Sequence, residues 1–341
     1  VVDRLAVDML PDEVAEPARL FLDFQPKPGA LDRRFDLGAA ADDAVIFQQP
    51  VDVAGAISGD SIGIEAMKGF AEILPLAQDR DPAETSLKTV QHKLFVKRAA
   101  VIFRRQACED EVNLNRRLCP DTYIGYSGVF ERDGQFGFAS RNGNEVDFCV
   151  WMNRLPDERM LDRMVAENTV TESILDRIAV QLSDFHRDAR RGPQINQWGS
   201  LAEICHNWEE NFTQTEPFLN RTISPANFSA IQAWVNDWLT HKTELFARRV
   251  QDKRIVDGHG DVRCESICVL DDAIRIYDCI EFNERFRCDD VASEIAFLAM
   301  DLDAKGRPDL GYYFAEAYQQ RTNDRDLLTL LPFYRCYRAF V

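Results

Sequence analysis

Hydrophobic and polar residues alternate on both sides of a short acidic turn, Asp271-Asp272, in the last third of the chain. The apolar positions of this pattern are Ile267, Val269, Ile274 and Ile276. A period of two in β-branched residues around a polar turn is typical of a β-hairpin. The pattern therefore predicts two short strands, with Asp261 in the loop before them and Asp278 at the end of the second.

Earlier in the chain, residues 86–152 predict a compact unit of mixed structure. Residues 94–103 (LFVKRAAVIF) have the composition of a strand, and 105–118 that of an amphipathic helix with Val112 and Leu118 on its apolar side. Three β-like stretches follow at 122–130, 135–139 and 146–152, with a turn at 132–134. A strand, a helix and three further strands make an α+β unit.

After residue 153 the spacing of apolar residues becomes helical. Thr171 is predicted to cap a helix with apolar positions Ile174, Ile178, Leu182 and Phe185. Ser224-Pro225 begins another, whose apolar stripe is Phe228, Ile231, Trp234, Val235 and Trp238. We interpret these tryptophans, and His186 on the apolar side of its helix, as core residues. Asp289 and Asp290 are predicted to cap a helix over 291–300.

Composition narrows the classes of function. The chain has 341 residues, 45% of them hydrophobic, which is enough for two domains or one two-lobed enzyme with a proper core. Its net charge of −17 predicts that it does not bind nucleic acid, because a phosphate backbone would be repelled. The acidity is compatible with a cationic substrate, but a solvated acidic surface is the favoured explanation.

Cysteine usage and hydropathy point to a cytoplasmic protein. The nine cysteines include no CxxC pair, which argues against a zinc ribbon or a disulfide framework and favours a reducing compartment. No apolar run approaches the roughly 18 residues of a membrane span. The chain opens without a methionine and stops within a predicted helix, so we expect a trimmed start and leave room for a further domain after residue 341.

The two aspartates, Asp261 and Asp278, suggest phosphoryl transfer. That reaction needs a carboxylate to orient the attacking hydroxyl, and oxygen ligands that hold magnesium on the phosphates. Aspartates at the two ends of a hairpin are able to lie together at one edge of it. There they would supply the carboxylate that orients the hydroxyl and the oxygen ligand for magnesium.

The motif HGDVRCES at 259–266 resembles the catalytic loop of the protein-kinase-like superfamily, in the HGD form of aminoglycoside and choline phosphotransferases. YDCIEFN at 277–283 is similar to the metal-binding segment that follows it. The run from residue 278 to the end resembles a bacterial group of aminoglycoside-phosphotransferase-like proteins, some of which carry an additional P-loop kinase domain. The resemblance covers about 86–341.

This resemblance implies an α+β, two-lobed protein-kinase-like fold. An N-terminal extension would occupy 1–85, a β-rich nucleotide-side lobe 86–152, and a helical lobe with the HGD loop 153–341. It also implies transfer of the γ-phosphoryl of ATP or GTP, with Mg²⁺, to a hydroxyl of a small molecule.

Site residues follow from the same resemblance. Asp261 would be the catalytic base, Arg263 a contact to the transferred phosphate, and Asp278 the magnesium ligand. His259 would be a structural loop residue. Lys97 and Glu111 would form the ion pair that holds the α- and β-phosphates, with Lys93 and Glu109 competing for those two roles.

Two departures from the family pattern stand out. Ser266 occupies the position of an asparagine metal ligand; a hydroxyl also binds magnesium, and Glu265 lies beside it. No glycine-rich loop precedes Lys97, and a two-residue slip of its strand would put Phe95 in its place. These departures motivate an alternative, a catalytically inactive kinase-like subunit that binds a protein partner through residues 1–85. A protein kinase is the least favoured interpretation, because no DFG or APE segment is present.

Overall fold

The computed structural model describes residues 101–133, 135–138 and 143–341, together with the backbone of 44–47. Two compact units divide the chain. The described parts of one are 44–47, 101–113 and 123–154, and those of the other are 114–122 and 155–341.

An antiparallel sheet forms most of the described part of the first unit. Its strands are β1 (Ala44–Phe47), β2 (Tyr123–Arg132), β3 (Gln135–Gly137) and β4 (Asn144–Asn153), in the order β1-β4-β2-β3. β2 and β4 pair along nearly their whole length, with Ser127 opposite Cys149. The β2–β3 turn passes through Asp133, whose φ of 52° is one that aspartate tolerates. The three β-like stretches predicted from the sequence are therefore confirmed.

Residues 101–115 are helical and are called α1 here. The predicted strand over 94–103 is wrong for 101–103, while 94–100 lie outside the described residues. A short apolar run does not distinguish a strand from a helix by itself, and the helix predicted from 105 extends back through it. Ile102 and Phe103 are both exposed, so this first turn is not part of a buried strand.

Helices dominate the second unit. They are α2 (Leu161–Ala166), α3 (Glu172–Asp188), α4 (Pro193–Asn196), α5 (Leu201–Thr215), α6 (Pro225–His241), α7 (Thr243–Gln251), α8 (Glu284–Arg287), α9 (Val291–Ala304), α10 (Pro308–Thr322) and α11 (Leu327–Phe340). Two strand pairs accompany them: β5 (Ile255–Asp257) with β8 (Cys288–Asp290), and β6 (Ile267–Val269) with β7 (Ile274–Ile276).

The predicted hairpin is confirmed as β6–β7. Ile267 pairs with Ile276 and Val269 with Ile274, and all four side chains are buried. β5 and β8 also pair antiparallel, although they are farther apart in the sequence, and Ile255 lies opposite Asp290.

α9 lies at the centre of the core. All of its residues from 291 to 300 are buried, and it packs against α10 and α11, while α10 also packs against α3. Trp234 and Trp238 of α6 pack against this core, and Trp238 stacks on Phe333 with ring centroids 5.3 Å apart. The interpretation of these tryptophans as core residues is confirmed.

The predicted caps have mixed outcomes. The Ser224 hydroxyl accepts the Asn227 N–H, and an Asp290 oxygen accepts the Ala292 N–H at 2.8 Å. Thr171 precedes α3 without a side-chain capping bond. Asp289 accepts the N–H of Asp290 rather than one within the helix, so it is not an N-cap.

The mixed α and β content predicted from the sequence is confirmed. The two-lobed kinase-like arrangement and the divisions at residues 85 and 152 stay predictions, and 1–85 lie outside the described residues apart from β1. All nine cysteines fall within the described part and are free thiols. Among the helices of the described residues, none has both the length and the apolar character to cross a membrane.

Candidate functional site

The loop that follows β5 carries Asp261 and needs two glycines for its shape. Gly260 has φ of +86°, and a Cβ there would lie 2.7 Å from the carbonyl oxygen of Phe286. A Cβ on Gly258 would lie 2.5 Å from Oε2 of Glu294. Both distances are shorter than those real Cβ atoms show, so positions 258 and 260 require glycine.

Glu294 of α9 holds this loop through its backbone. Its Oε2 accepts the N–H groups of His259 and Gly260 at 2.7 and 3.0 Å, and its Oε1 accepts from Nε2 of His186 at 2.9 Å. Burial alone would raise the pKa of Glu294, but the His186 hydrogen bond and the other donors outweigh it and lower the pKa to about 2. A buried, ionised Glu294 therefore anchors the loop.

His186 is a satisfied core histidine, as its position on α3 predicts. It is buried, and its Nδ1 lies 2.7 Å from the Tyr318 hydroxyl while Nε2 donates to Glu294. The side chain connects α3, α9 and α10 behind the loop, and it supports the loop only through Glu294.

His259 joins the Asp261 loop to the segment that carries Asp278. Its Nε2 donates to the carbonyl of Tyr277 at 3.0 Å, and its own carbonyl accepts the N–H of Ile280 at 3.1 Å. Nδ1 accepts the N–H of Asp261 at 3.3 Å. Burial lowers the pKa of His259 to about 4, so the ring is neutral and makes both side-chain bonds. One residue thus bonds the chain on either side of Asp278.

Asp278 combines a left-handed backbone with a partly desolvated carboxylate. Its φ is +67°, a left-handed conformation that aspartate adopts more readily than most residues and that also occurs at functional sites. The side chain is exposed to solvent although protein atoms surround it on most sides. Partial desolvation raises its pKa, and the negative charge of Asp261 raises it further, while Arg263 opposes both. The two carboxylates therefore lie close enough for their charges to interact.

Arg263 forms a two-pronged ion pair with Asp261. Nε donates to Oδ1 at 2.6 Å and Nη2 to Oδ2 at 2.9 Å, while Nη1 lies 3.6 Å from Glu265. Both oxygens of Asp261 thus accept from the guanidinium, which is itself partly exposed. Fork-like pairs of this kind are strong and directional.

The Ser266 hydroxyl orders the turn between the loop and the hairpin. It accepts the N–H of Arg263 at 3.0 Å and faces the carbonyl oxygens of Arg263 and Asp261 at 2.9 and 3.0 Å. The side chain is buried. Metal binding through this oxygen requires the hydroxyl to rearrange these bonds, and the role of Ser266 as a ligand stays a prediction.

The phosphate-binding pair predicted from the sequence is only partly within the described residues. Lys97 and Lys93 lie outside them. Glu111 lies on α1 and is buried, while its competitor Glu109 accepts a hydrogen bond from the Tyr126 hydroxyl at 3.2 Å. The pairing of Glu111 with a lysine stays a prediction.

Sequence reasoning missed Glu294. It is an acidic residue within the otherwise mostly apolar stretch 291–300, and this is the signal that would have identified it. A carboxylate on a helix that is buried on all sides needs several donors, and the loop supplies two of them.

A second buried carboxylate, Asp257, lies at the base of the loop. It pairs with Arg287 at 2.6 Å and with Arg190 at 3.0 Å, and these arginines lower its pKa against the effect of burial. Glu284 and Cys288 lie close enough to complete a cation-sized cluster with Asp257. Since Asp257 is already neutralised by arginine, we interpret the cluster as structural.

Comparisons with known proteins give relatives without an assigned activity. Over 238 residues the chain is 33% identical to uncharacterised proteins of Mycobacterium tuberculosis, strains H37Rv and CDC 1551, and of Mycobacterium bovis. The match covers 70% of this chain and 46% of each relative, so the chain spans about half the length of the curated relatives it matches. No protein-family model matches.

Among solved structures, the chain is similar to a Plasmodium vivax ethanolamine kinase. The TM-score is 0.37 at 14% sequence identity, and the match covers 70% of this chain and 64% of the other. A TM-score of this size does not by itself establish a shared fold.

Proposed function

We propose that the chain is a phosphotransferase of the aminoglycoside-phosphotransferase-like type, which moves the γ-phosphoryl of ATP or GTP to a hydroxyl of a small molecule. The observation that carries the proposal is the arrangement around His259. His259 hydrogen-bonds the Asp261 loop to the chain on both sides of Asp278. The carboxylates of Asp261 and Asp278 interact through their charges.

In this proposal Asp261 orients the attacking hydroxyl and accepts its proton. The hydroxyl oxygen forms a bond to the γ-phosphorus while the bond from that phosphorus to the bridging oxygen breaks, and the nucleoside diphosphate leaves with the electron pair. Asp261 is suited to this because its carboxylate is partly exposed, whereas its backbone is fixed through His259 and Ser266.

Asp278 fits the role of metal ligand. A carboxylate whose pKa is raised by partial desolvation and by a neighbouring carboxylate gains from a nearby divalent cation, which relieves the repulsion. Magnesium would neutralise charge on the β- and γ-phosphates, and it commonly takes only one or two protein carboxylates besides phosphate and water. Asp278 meets that need without Ser266.

In this proposal Arg263 pairs with either of two anions, the Asp261 carboxylate or the γ-phosphate. In the structure Arg263 pairs with Asp261. A γ-phosphate would compete with Asp261 for the same two N–H donors. Transfer of the guanidinium to the phosphate would leave Asp261 free to accept a proton. Lys97 and Glu111 are assigned to the α- and β-phosphates.

A non-catalytic kinase-like subunit is the second candidate function. Two observations favour it: both oxygens of Asp261 accept from Arg263, and the Ser266 hydroxyl is engaged with the backbone. In that case residues 1–85 would bind a protein partner.

The test is the melting temperature of the wild type and of Asp278→Asn with and without Mg²⁺-ATP. Asparagine tolerates a left-handed backbone, so this variant removes the charge and keeps the loop. A ligand at 100 times its Kd stabilises the folded state by about 2.7 kcal/mol. We expect the wild type to shift upward and Asp278→Asn not to shift.

Asp272→Asn, in the exposed hairpin turn, is the matched control and should behave as the wild type. A screen for nucleoside diphosphate release with small alcohols, on the wild type and on Asp261→Asn, then separates the two candidates. Binding with turnover that Asp261→Asn abolishes supports the enzyme, and binding without turnover supports the subunit. A wild type that does not respond to millimolar nucleotide overturns the phosphotransferase.

A further inference from the structure

The chain that leaves α1 contacts both of the segments that bear the aspartates. Residues 114–122 belong to the same compact unit as these segments. Two residues of this stretch, Asn115 and Arg117, make the contacts. Neither residue belongs to a recognisable sequence motif.

Arg117 reaches the beginning of the Asp261 loop with one edge of its guanidinium. Nη1 donates to the carbonyl of Asp257 at 3.0 Å and lies 3.4 Å from its carboxylate, and Nη2 donates to the carbonyl of Gly258 at 2.7 Å. These two carbonyls are the last backbone acceptors before His259-Gly260-Asp261. The position of the loop is therefore bonded directly to Arg117.

The same guanidinium reaches the residue after Asp278. Nη2 lies 3.2 Å from the Cys279 sulfur, and Nε donates to the carbonyl of Leu114 at 3.0 Å. The guanidinium also lies over the ring of Phe185, 5.0 Å from its centroid. A planar group with five N–H donors makes this set of contacts, whereas a lysine ammonium has three donors and no flat face.

Asn115 also contacts the Asp278 segment. It is buried, and its Oδ1 accepts the Cys279 N–H at 2.9 Å. Cys279 follows directly on the residue whose φ is +67°. A hydrogen bond at the next amide restrains the left-handed backbone of Asp278.

We propose that Asn115 and Arg117 are positioning residues that fix the Asp261 and Asp278 segments relative to each other. Arg117 acts on both segments and Asn115 on the second. The expected effect on Mg²⁺-ATP binding rests on the proposed function. The positioning of the two backbone segments does not, and amide hydrogen exchange measures it separately.

The experiment compares Arg117→Lys, Asn115→Ala and Asn115→Asp with the wild type by amide hydrogen exchange and by Mg²⁺-ATP binding. Arg117→Lys should speed exchange in both 257–261 and 277–280, and Asn115→Ala only in 277–280. Asn115→Asp keeps an acceptor for the Cys279 N–H and should restore the protection there. Exchange in α11 should not change in any variant, which shows that the fold is intact.

Binding supplies the second readout. The Kd for Mg²⁺-ATP should rise about tenfold in Arg117→Lys, as expected for the loss of charge-assisted hydrogen bonds. Arg116→Lys, at the exposed neighbouring position, is the control and should match the wild type.

The outcomes separate the two ideas. Unchanged exchange in 257–261 or 277–280 of Arg117→Lys overturns the positioning role, whatever the wild type binds. Faster exchange with an unchanged Kd for Mg²⁺-ATP overturns the idea that this positioning contributes to nucleotide binding. A wild type that does not bind Mg²⁺-ATP overturns the proposed function, and the exchange data then decide the positioning alone.

Discussion

At the scale of single residues, the site depends on a histidine that has to stay neutral. His259 donates through Nε2 to Tyr277 and accepts through Nδ1 from Asp261. A protonated ring has no acceptor, so protonation breaks the second bond and places a charge in a buried position. This is why burial lowers the pKa of His259 to about 4 from its ordinary value of 6.5.

The protein should lose stability on mild acidification because of His259. A lowered folded-state pKa means that the unfolded chain binds the proton more readily, so the contribution is fully present above about pH 6.5 and falls as the pH drops toward 4. The loss is a few kcal/mol over this range, since each pKa unit corresponds to about 1.4 kcal/mol. Urea denaturation at a series of pH values measures it.

The variant His259→Gln cannot titrate and should show a flatter pH dependence between pH 6.5 and 4, on a lower overall stability. Equal slopes for His259→Gln and the wild type would contradict a neutral, buried His259.

At the scale of elements, the sequence predicts best where the signal is local. The hairpin β6–β7 has its alternation and its turn within ten residues, and the register follows from them. The start of α6 is equally local, because Ser224 precedes a proline at the first helical position and its hydroxyl accepts the Asn227 N–H. Where such a signal was ambiguous, as in residues 101–103, the element was predicted incorrectly.

Replacement of Ser224 by alanine should lower the free energy of unfolding by about 1 kcal/mol, because the first turn of α6 loses its side-chain acceptor. Thr171→Ala is the matched control, since Thr171 occupies the same position before α3 without a capping bond and should cost less. Chemical denaturation of the two variants gives the comparison, and a larger loss for Thr171→Ala would contradict the assignment of the caps.

At the scale of the whole molecule, buried ion pairs connect helices that are far apart in sequence. Arg249 of α7 forms a fork with Asp290, at 2.8 and 2.6 Å, and also pairs with Asp324 after α10. All three side chains are buried. The arrangement links the start of α9, and through it Glu294 and the Asp261 loop, to the outer helices.

Removal of the Arg249 charge should destabilise the fold strongly. Arg249→Met leaves the buried Asp290 without its arginine and Asp324 with Arg254 at 3.7 Å, and the loss of such a buried partner costs about 3–5 kcal/mol. Arg248→Met is the adjacent control, because Arg248 is half-exposed and its pair with Asp326 is worth at most about 1 kcal/mol. Thermal and urea unfolding measure both, and similar losses for the two variants would be the contrary result.

Local sequence patterns were enough to place the strands β2 to β4, the hairpin, the starts of α3, α6 and α9, the core positions of Trp234, Trp238 and His186, and the two aspartates as candidates. These follow from periodicity, capping and motif, which operate over a few neighbouring residues. The groups that hold the site become visible only in the folded structure. Glu294, Asn115 and Arg117 are distant in sequence from the loops they bind, and a polar residue carries no local sign of a partner that folding brings to it. Burial is the physical reason: once water is excluded, each of these groups has to find its hydrogen bonds within the fold, and the fold determines where they are.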